Sequence, residues 1–387
     1  MTDELIYLDF AASTPVDRRV AELMYECRET GFANPASNHV AGRKSAAIIS
    51  KAMAQLEALL NAAPATLVWT SGATESDNLA IAGGARFRAH RGKHLVTMPT
   101  EHKAVTDMFH ELEKQGFEVS WLEPGEDGRL DPDDFARALR ADTQLASIMY
   151  VNNETGVMQD IATLGSICRE RDVLFHVDAA QAVGKVPIDL AELPIDLLSL
   201  TGHKFYGPKG IGALYIANRP GCRVEPILFG GGQQRRIRPG TLPADLIAGL
   251  GLAAEIAASS IETDLRHLSD LRDLLWSGIR DVDGILVNGD LENGFPGILN
   301  VSVEDVEGES LLLGLDPVCV ATGSACNSKA QEPSYVLRAL GRSDRLAESA
   351  IRFSLGRPTQ RHEVEFAARR YRDTVARLRS LAPSAVA

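Results

Sequence analysis

The chain has 387 residues, 45% hydrophobic and 24% charged, a balance that suits a globular protein of two or three domains at ~150 residues each and excludes disorder. Asp and Glu number 52 against 40 Lys and Arg, and the net charge of −12 lacks the positive field of an autonomous nucleic-acid binder. No uninterrupted apolar run approaches the ~20 residues of a membrane span, and Met1-Thr2-Asp3-Glu4 is acidic where a signal peptide is basic, so a cytoplasmic location is expected.

In chain order, residues 43–61 carry apolar side chains at helical spacing. Strand-like runs follow at 67–70, 94–98, 117–122, 145–151, 173–177 and 197–200, and helical patterns at 101–115, 132–140 and 161–171 separate several of them. Strands alternating with helices predict a mainly parallel sheet covered on both faces. Ligands in such folds gather at the carboxyl ends of strands. A long Ala- and Leu-rich helix is expected over about 243–280. Beyond it come strand 298–303, helix 308–315, strand 318–321, helix 333–340, strand 351–355 and a closing helix from Arg361. These read as a small α+β domain (261–387, with 1–10 against it) beside a large one over 11–260.

Several residues at or beyond strand ends suggest chemistry. Lys204, in Gly202-His203-Lys204, follows a strand among glycines and hydroxyl residues, a setting for a Schiff base with an aldehyde. Asp178 ends an apolar strand, where an acid needs a cationic or donor partner such as a pyridinium nitrogen. A helix cap is the competing reading for Asp178. The small-residue turn over 70–76 offers hydroxyls and N–H groups to a phosphate. His102 has a flat ring that stacks or moves a proton, and Asn153 can orient an oxygen; taken alone, each residue type is more often structural. Arg352 lies on an apolar strand and needs an anion, either a substrate carboxylate or an internal partner.

The five cysteines are odd in number and lack a C-x-x-C pair, so they form neither a disulfide framework nor a zinc site, and no metal is expected. Cys27, Cys168 and Cys319 sit in helical or strand patterns that favour burial, and Cys222 has nothing that suggests reactivity. Cys326 differs. Its neighbours Gly323, Ser324, Ala325, Asn327 and Ser328 are small and polar, which predicts an accessible loop and a reactive thiol.

Together the motifs resemble the cysteine desulfurases, pyridoxal phosphate (PLP) enzymes of the aspartate aminotransferase-like fold. The likeness rests on T-S-G-A-T-E-S-D-N from Thr70, T-E-H-K-A-V from Thr100, V-N-N-E-T-G from Val151, H-V-D-A-A-Q from His176, G-H-K from Gly202, G-S-A-C from Gly323 and R-F-S-L-G-R from Arg352. It implies that Lys204 holds PLP, His102 stacks on its ring, Asp178 meets the ring nitrogen and Gln181 the phenolic oxygen. It places Ala73, Thr74, Thr201 and His203 at the phosphate, with Thr241 supplied by the other subunit of a homodimer. Asn153 and Arg352, with Asn34 nearby, are implied for L-cysteine, and Cys326 for the sulfur. The surroundings of Cys326 look like the long-loop subgroup.

The resemblance implies conversion of L-cysteine to L-alanine with a persulfide passed to an acceptor protein, for iron–sulfur cluster assembly or thio-modification. The runs around Pro239 and Cys326 are similar to desulfurases of DNA phosphorothioation, an alternative destination. Another PLP enzyme (an aminotransferase or selenocysteine lyase) and a non-catalytic sulfur-system subunit are the remaining readings.

Overall fold

The computed structural model describes residues 5–322 and 333–381. It opens with strand β1 (Ile6–Tyr7) and helices α1 (Arg18–Thr30) and α2 (Val40–Leu60). Asp17 and His39 cap the two helices, each accepting a first-turn N–H with its side chain. Then β2 (Leu67–Thr70), α3 (Ala73–Phe87), β3 (His94–Thr97), α4 (Lys103–Lys114), β4 (Glu118–Trp121), α5 (Pro132–Ala138), β5 (Thr143–Ser147), α6 (Ile161–Glu170), β6 (Leu174–Asp178), β7 (Leu197–Thr201) and β8 (Gly212–Ile216) build a seven-stranded sheet. Its order is β2-β8-β7-β6-β5-β3-β4. All the pairings are parallel except the two made by β8.

Strand β8 does not stand out in the sequence, because Gly212 continues the glycine-rich turn that follows Lys204. It is nonetheless fully buried, and its insertion antiparallel between β2 and β7 leaves those two strands pointing the same way. The carboxyl ends of β2, β3, β5, β6 and β7 therefore share one edge. The run expected over 145–151 leaves the sheet after Ser147, and Val151 bridges to Met158 instead.

Helix α7 (Ala244–Ile279) packs on α1, α2 and α11 (Arg361–Leu381). By length and composition α7 qualifies as a membrane span, yet it buries Ile247, Leu250, Ile256, Leu268, Leu271 and Leu275 inside this fold. A three-stranded sheet, β12-β10-β9, is built from β9 (Ile285–Val287), β10 (Ile298–Val303) and β12 (Ile351–Ser354), with α8 (Gly308–Gly314), α9 (Tyr335–Ala339) and α10 (Asp344–Glu348) among the C-terminal elements. Strand β11 (Val318–Cys319) pairs in parallel with β1, which joins Ile6 and Tyr7 to the C-terminal elements. Asp9 also bridges to Ser354, which carries β12 to the edge of the large sheet.

Cys27 and Cys168 are buried, as their helical patterns suggest, and Cys222 is buried as well. Cys319 is only half-buried, because β11 is two residues long and pairs only with β1.

Candidate active site

Strand β7 ends at Thr201 and turns through a 3₁₀ turn over Gly202–Lys204. Gly202 N–H donates to Ile211 C=O at 3.0 Å, and Phe205 is buried beneath the turn. Lys204 therefore leaves a rigid strand end, and its Nζ donates to the carbonyls of Ala11 (2.6 Å) and Ala12 (2.9 Å). Asp178 ends β6 with 2% exposure, and its Oδ1 accepts the Ala180 N–H at 2.9 Å. Burial raises its pKa, only partly offset by His102, the Ala180 N–H and Lys204.

His102 caps α4, its Nδ1 accepting the Ala104 N–H at 3.1 Å. The neutral ring then carries its proton on Nε2. Burial, with Lys204, holds the His102 pKa down although Asp178 raises it. Gln181 donates from Nε2 to Ala11 C=O at 2.7 Å. These side chains face one cavity of about 610 Å³.

Another wall of the cavity is the start of α3. Gly72 precedes the helix at φ +154°, a value that favours glycine, and among the described residues no side chain caps α3. Its open N–H groups, the hydroxyls of Thr74 and Thr201, and His203 share the cavity with Lys204. His203 has its pKa pulled to about 4 by burial, with Lys204, Lys209 and Lys185 adding to the effect. Glu75 is neutralised by Arg238, which donates from Nε at 2.8 Å. Helix-start donors, hydroxyls, a lysine and a buried carboxylate form a donor set that fits a phosphorylated pyridine aldehyde.

Arg352, 5% exposed, donates from Nη1 to Asn153 C=O (2.8 Å) and from Nη2 to Asp9 (2.7 Å). Both readings of this arginine are thus physical: it has an internal anion, and it lines the cavity. Its buried Nε has no hydrogen-bond partner among the described residues.

Ala73, Thr74, His102, Asn153, Asp178, Gln181, Thr201, His203, Lys204 and Arg352 are thus brought together. Asn34 and Thr241 are exposed and do not line the cavity; Asn34 Oδ1 accepts the Ala36 N–H. Cys326 lies outside the described residues. The sequence reading missed Asp9 and Lys209 in the cavity wall; an acid just after the apolar run Ile6-Tyr7-Leu8 was the signal available for Asp9.

Beside the cavity, Glu154 is 4% exposed and accepts the Ser334 hydroxyl at 2.6 Å. Burial raises its pKa to about 7 against the pull of Ser334 and Arg352. A folded-state pKa above the ordinary 4.5 means that its stabilising effect is full below pH 4.5 and is lost as pH rises through 7. The loss amounts to at most about 3 kcal/mol. Glu154→Gln stays neutral and is expected to flatten the melting temperature between about pH 5 and about pH 8. Thermal melts with the same slope in both proteins would contradict this.

The aminotransferase class-V family profile matches residues 6–366. The cysteine desulfurase IscS of Enterobacter sp. (strain 638) is 52% identical over 381 residues, covering 98% of this chain and 94% of the relative. Among solved structures, a NifS-like protein superposes with a TM-score of 0.90 at 33% identity, over 97% of this chain and 100% of its own. SspA in complex with cysteine superposes at 0.82 and 36% identity, over 91% of this chain and 99% of its own.

Proposed function

We propose a division of labour among residues in a chain that belongs to the aminotransferase class-V family and, within it, to the cysteine desulfurases. The 52% identity to such enzymes does not favour an aminotransferase, a selenocysteine lyase, a non-catalytic subunit or a dedicated phosphorothioation donor. The observation that carries the assignment is the convergence of Lys204, Asp178, His102 and Arg352 on one cavity at aligned strand ends.

PLP is the expected cofactor, and Lys204 would hold it. His102 would cover its ring, Asp178 would meet the ring nitrogen, and Gln181 the phenolic oxygen. Ala73, Thr74, Thr201 and His203 would take the phosphate. When bound, PLP draws electron density from the substrate's Cα, which prepares the Cβ–S bond for cleavage. L-cysteine is the substrate, a reading supported by the cysteine bound to SspA.

Arg352, which lines the cavity, would take the substrate carboxylate, and Asn153 lies beside it. The Lys204 amine, once free of the cofactor, is the base placed to take the Cα proton. The Cys326 thiolate attacks the substrate sulfur. One S–S bond forms as Cβ–S breaks, and the carbon skeleton leaves, after protonation, as alanine. The persulfide is then passed to an acceptor protein, for iron–sulfur cluster assembly or thio-modification.

Thr241 serves the second copy's site in a homodimer. Exposed Tyr25, Phe32, Val40, Leu228 and Phe229 supply apolar surface for that contact. The unpaired cysteines suit the cytoplasm. Incubation of the PLP-loaded protein with L-cysteine and a reductant is expected to give alanine and sulfide in equal amounts, from a species that sediments as a dimer. Keto acid in place of alanine, or activity confined to a monomer, would sink the assignment.

A further inference from the structure

We propose that Lys185 is a positioning residue, which fixes the direction of the Gln181 side-chain amide so that its N–H end faces the cofactor cavity. The inference rests on the reading that Gln181 meets the cofactor's phenolic oxygen. Nothing in the motif reading draws attention to Lys185.

The backbone leads directly to this contact. After β6 the chain turns through residues 179–184, with Val183 N–H donating to Ala179 C=O and Val186 N–H to Ala182 C=O, both at 2.9 Å. Gly184 closes the turn at φ +73° against Phe205, whose ring lies 2.7 Å from where a Cβ would stand. Gln181 and Lys185, spaced i and i+4, then share one side of the turn. Lys185 Nζ donates to Gln181 Oε1 at 2.5 Å and lies 5.6 Å from the centre of the Phe295 ring.

An unusual electrostatic setting surrounds this amine. Among the described residues no carboxylate lies within ion-pair distance of it. Its influential neighbours are cations: burial, Lys204 and Arg352 all lower its pKa. Asp264, Arg357 and Tyr206 line the small cavity on its other side. Lys185 is half-buried, and a lysine held among cations with no acid to pair with gains nothing from ion pairing, so its hydrogen bond to Gln181 is what anchors it.

What the contact does is choose an orientation. A glutamine amide is nearly symmetric in shape, and only its neighbours decide which end is oxygen. Ala11 C=O accepts only, so it takes Nε2, while Lys185 donates to Oε1. With Lys185 removed, Oε1 loses its donor and the Ala11 carbonyl alone opposes the amide turning over, so the preference for the N–H end weakens. A phenolic oxygen carrying negative charge needs the N–H end; the carbonyl end repels it.

The test uses PLP-loaded protein and the visible absorption of the lysine-bound cofactor, titrated with pH. Asp178, His102, His203 and Arg352 face that chromophore in every variant, so their contributions are common to all. Lys185→Met is expected to raise the midpoint of the titration by about 1 unit. It should not lower the melting temperature, because a half-buried amine with no acid partner has been replaced by an apolar chain of similar length. Lys185→Arg, which retains a donor, should shift the midpoint less. Lys185→Ala carries the same readout where the Met variant does not fold.

Gln181→Ala separates the two layers of the argument. It should raise the midpoint by itself, and adding Lys185→Met should then change nothing further. A shift with Gln181→Ala but none with Lys185→Met overturns the inference while leaving the reading of Gln181 intact. A full additional shift from Lys185→Met in the Gln181→Ala background shows that the lysine acts through its charge alone, which also overturns it. No shift with Gln181→Ala removes the reading of Gln181 and the inference with it.

Discussion

Lys204→Ala is expected to lower alanine formation by at least about 10³-fold while leaving the melting transition cooperative. The size of the loss follows from two roles on one atom. Nζ is the proposed covalent anchor of the cofactor, and it is also the amine placed to take the Cα proton. No neighbour substitutes for it. Lys185 is engaged with Gln181, and Lys209 is exposed at the cavity's rim. In the native chain Nζ is held by the Ala11 and Ala12 carbonyls, so the variant loses two hydrogen bonds at the edge of a cavity rather than a piece of the core. Added PLP should still associate, but without the visible band of a lysine-bound chromophore. Near-normal alanine production by this variant would end the assignment of Lys204.

Most of this site could be read in the sequence because strand ends announce themselves. The buried run Leu174–Asp178 closes on an acid, and Leu197–Thr201 closes on the turn to Lys204, so both residues could be placed at the carboxyl edge of a parallel sheet. That inference needed only local pattern and one rule of topology. What stayed hidden depends on contacts between distant parts of the chain. The ion pair of Arg352 with Asp9 joins positions 343 residues apart, brought together by the pairing of residues 8–11 with Ser354.

Local contacts were also missed where composition concealed them. Lys185 and Gln181 are close in sequence, but a lysine in a glycine-containing turn reads as solvated, whereas here it is half-buried with its amine over the Phe295 ring of another element. Strand β8 was hidden by the glycine that begins it. Gly212 must be small: a Cβ there would lie 2.4 Å from the Leu200 carbonyl oxygen and 2.7 Å from Gly72 Cα. The residue that weakens the strand signal is thus the one that lets the α3 turn approach β7. Cys319 illustrates the opposite error. Its apolar neighbours predicted burial, yet the short β1–β11 pair leaves it half-exposed.

That exposure makes Cys319 a demanding control for the second large effect, the loss expected from Cys326→Ser. This variant should keep the cofactor's absorption and still bind L-cysteine, because neither Lys204 nor Arg352 has been touched. It should form no persulfide, since a serine hydroxyl does not accept sulfur as a thiolate does. Alanine formation is expected to fall by at least about 100-fold, with little change in the concentration of cysteine needed for half-saturation of the spectral change. Reactivity from mere accessibility would predict sulfur on half-buried Cys319 as well. Burial raises the pKa of Cys319, and Asp316 and Asp9 push it in the same direction, so its thiolate is disfavoured. Cys319→Ala should therefore remain active. In Cys27, Cys168 and Cys222 burial likewise raises the pKa. Mass spectrometry after addition of cysteine should find the extra sulfur on the peptide that contains Cys326. Sulfur on any of the other four cysteines, or normal alanine formation by Cys326→Ser, would show that the transfer takes another route.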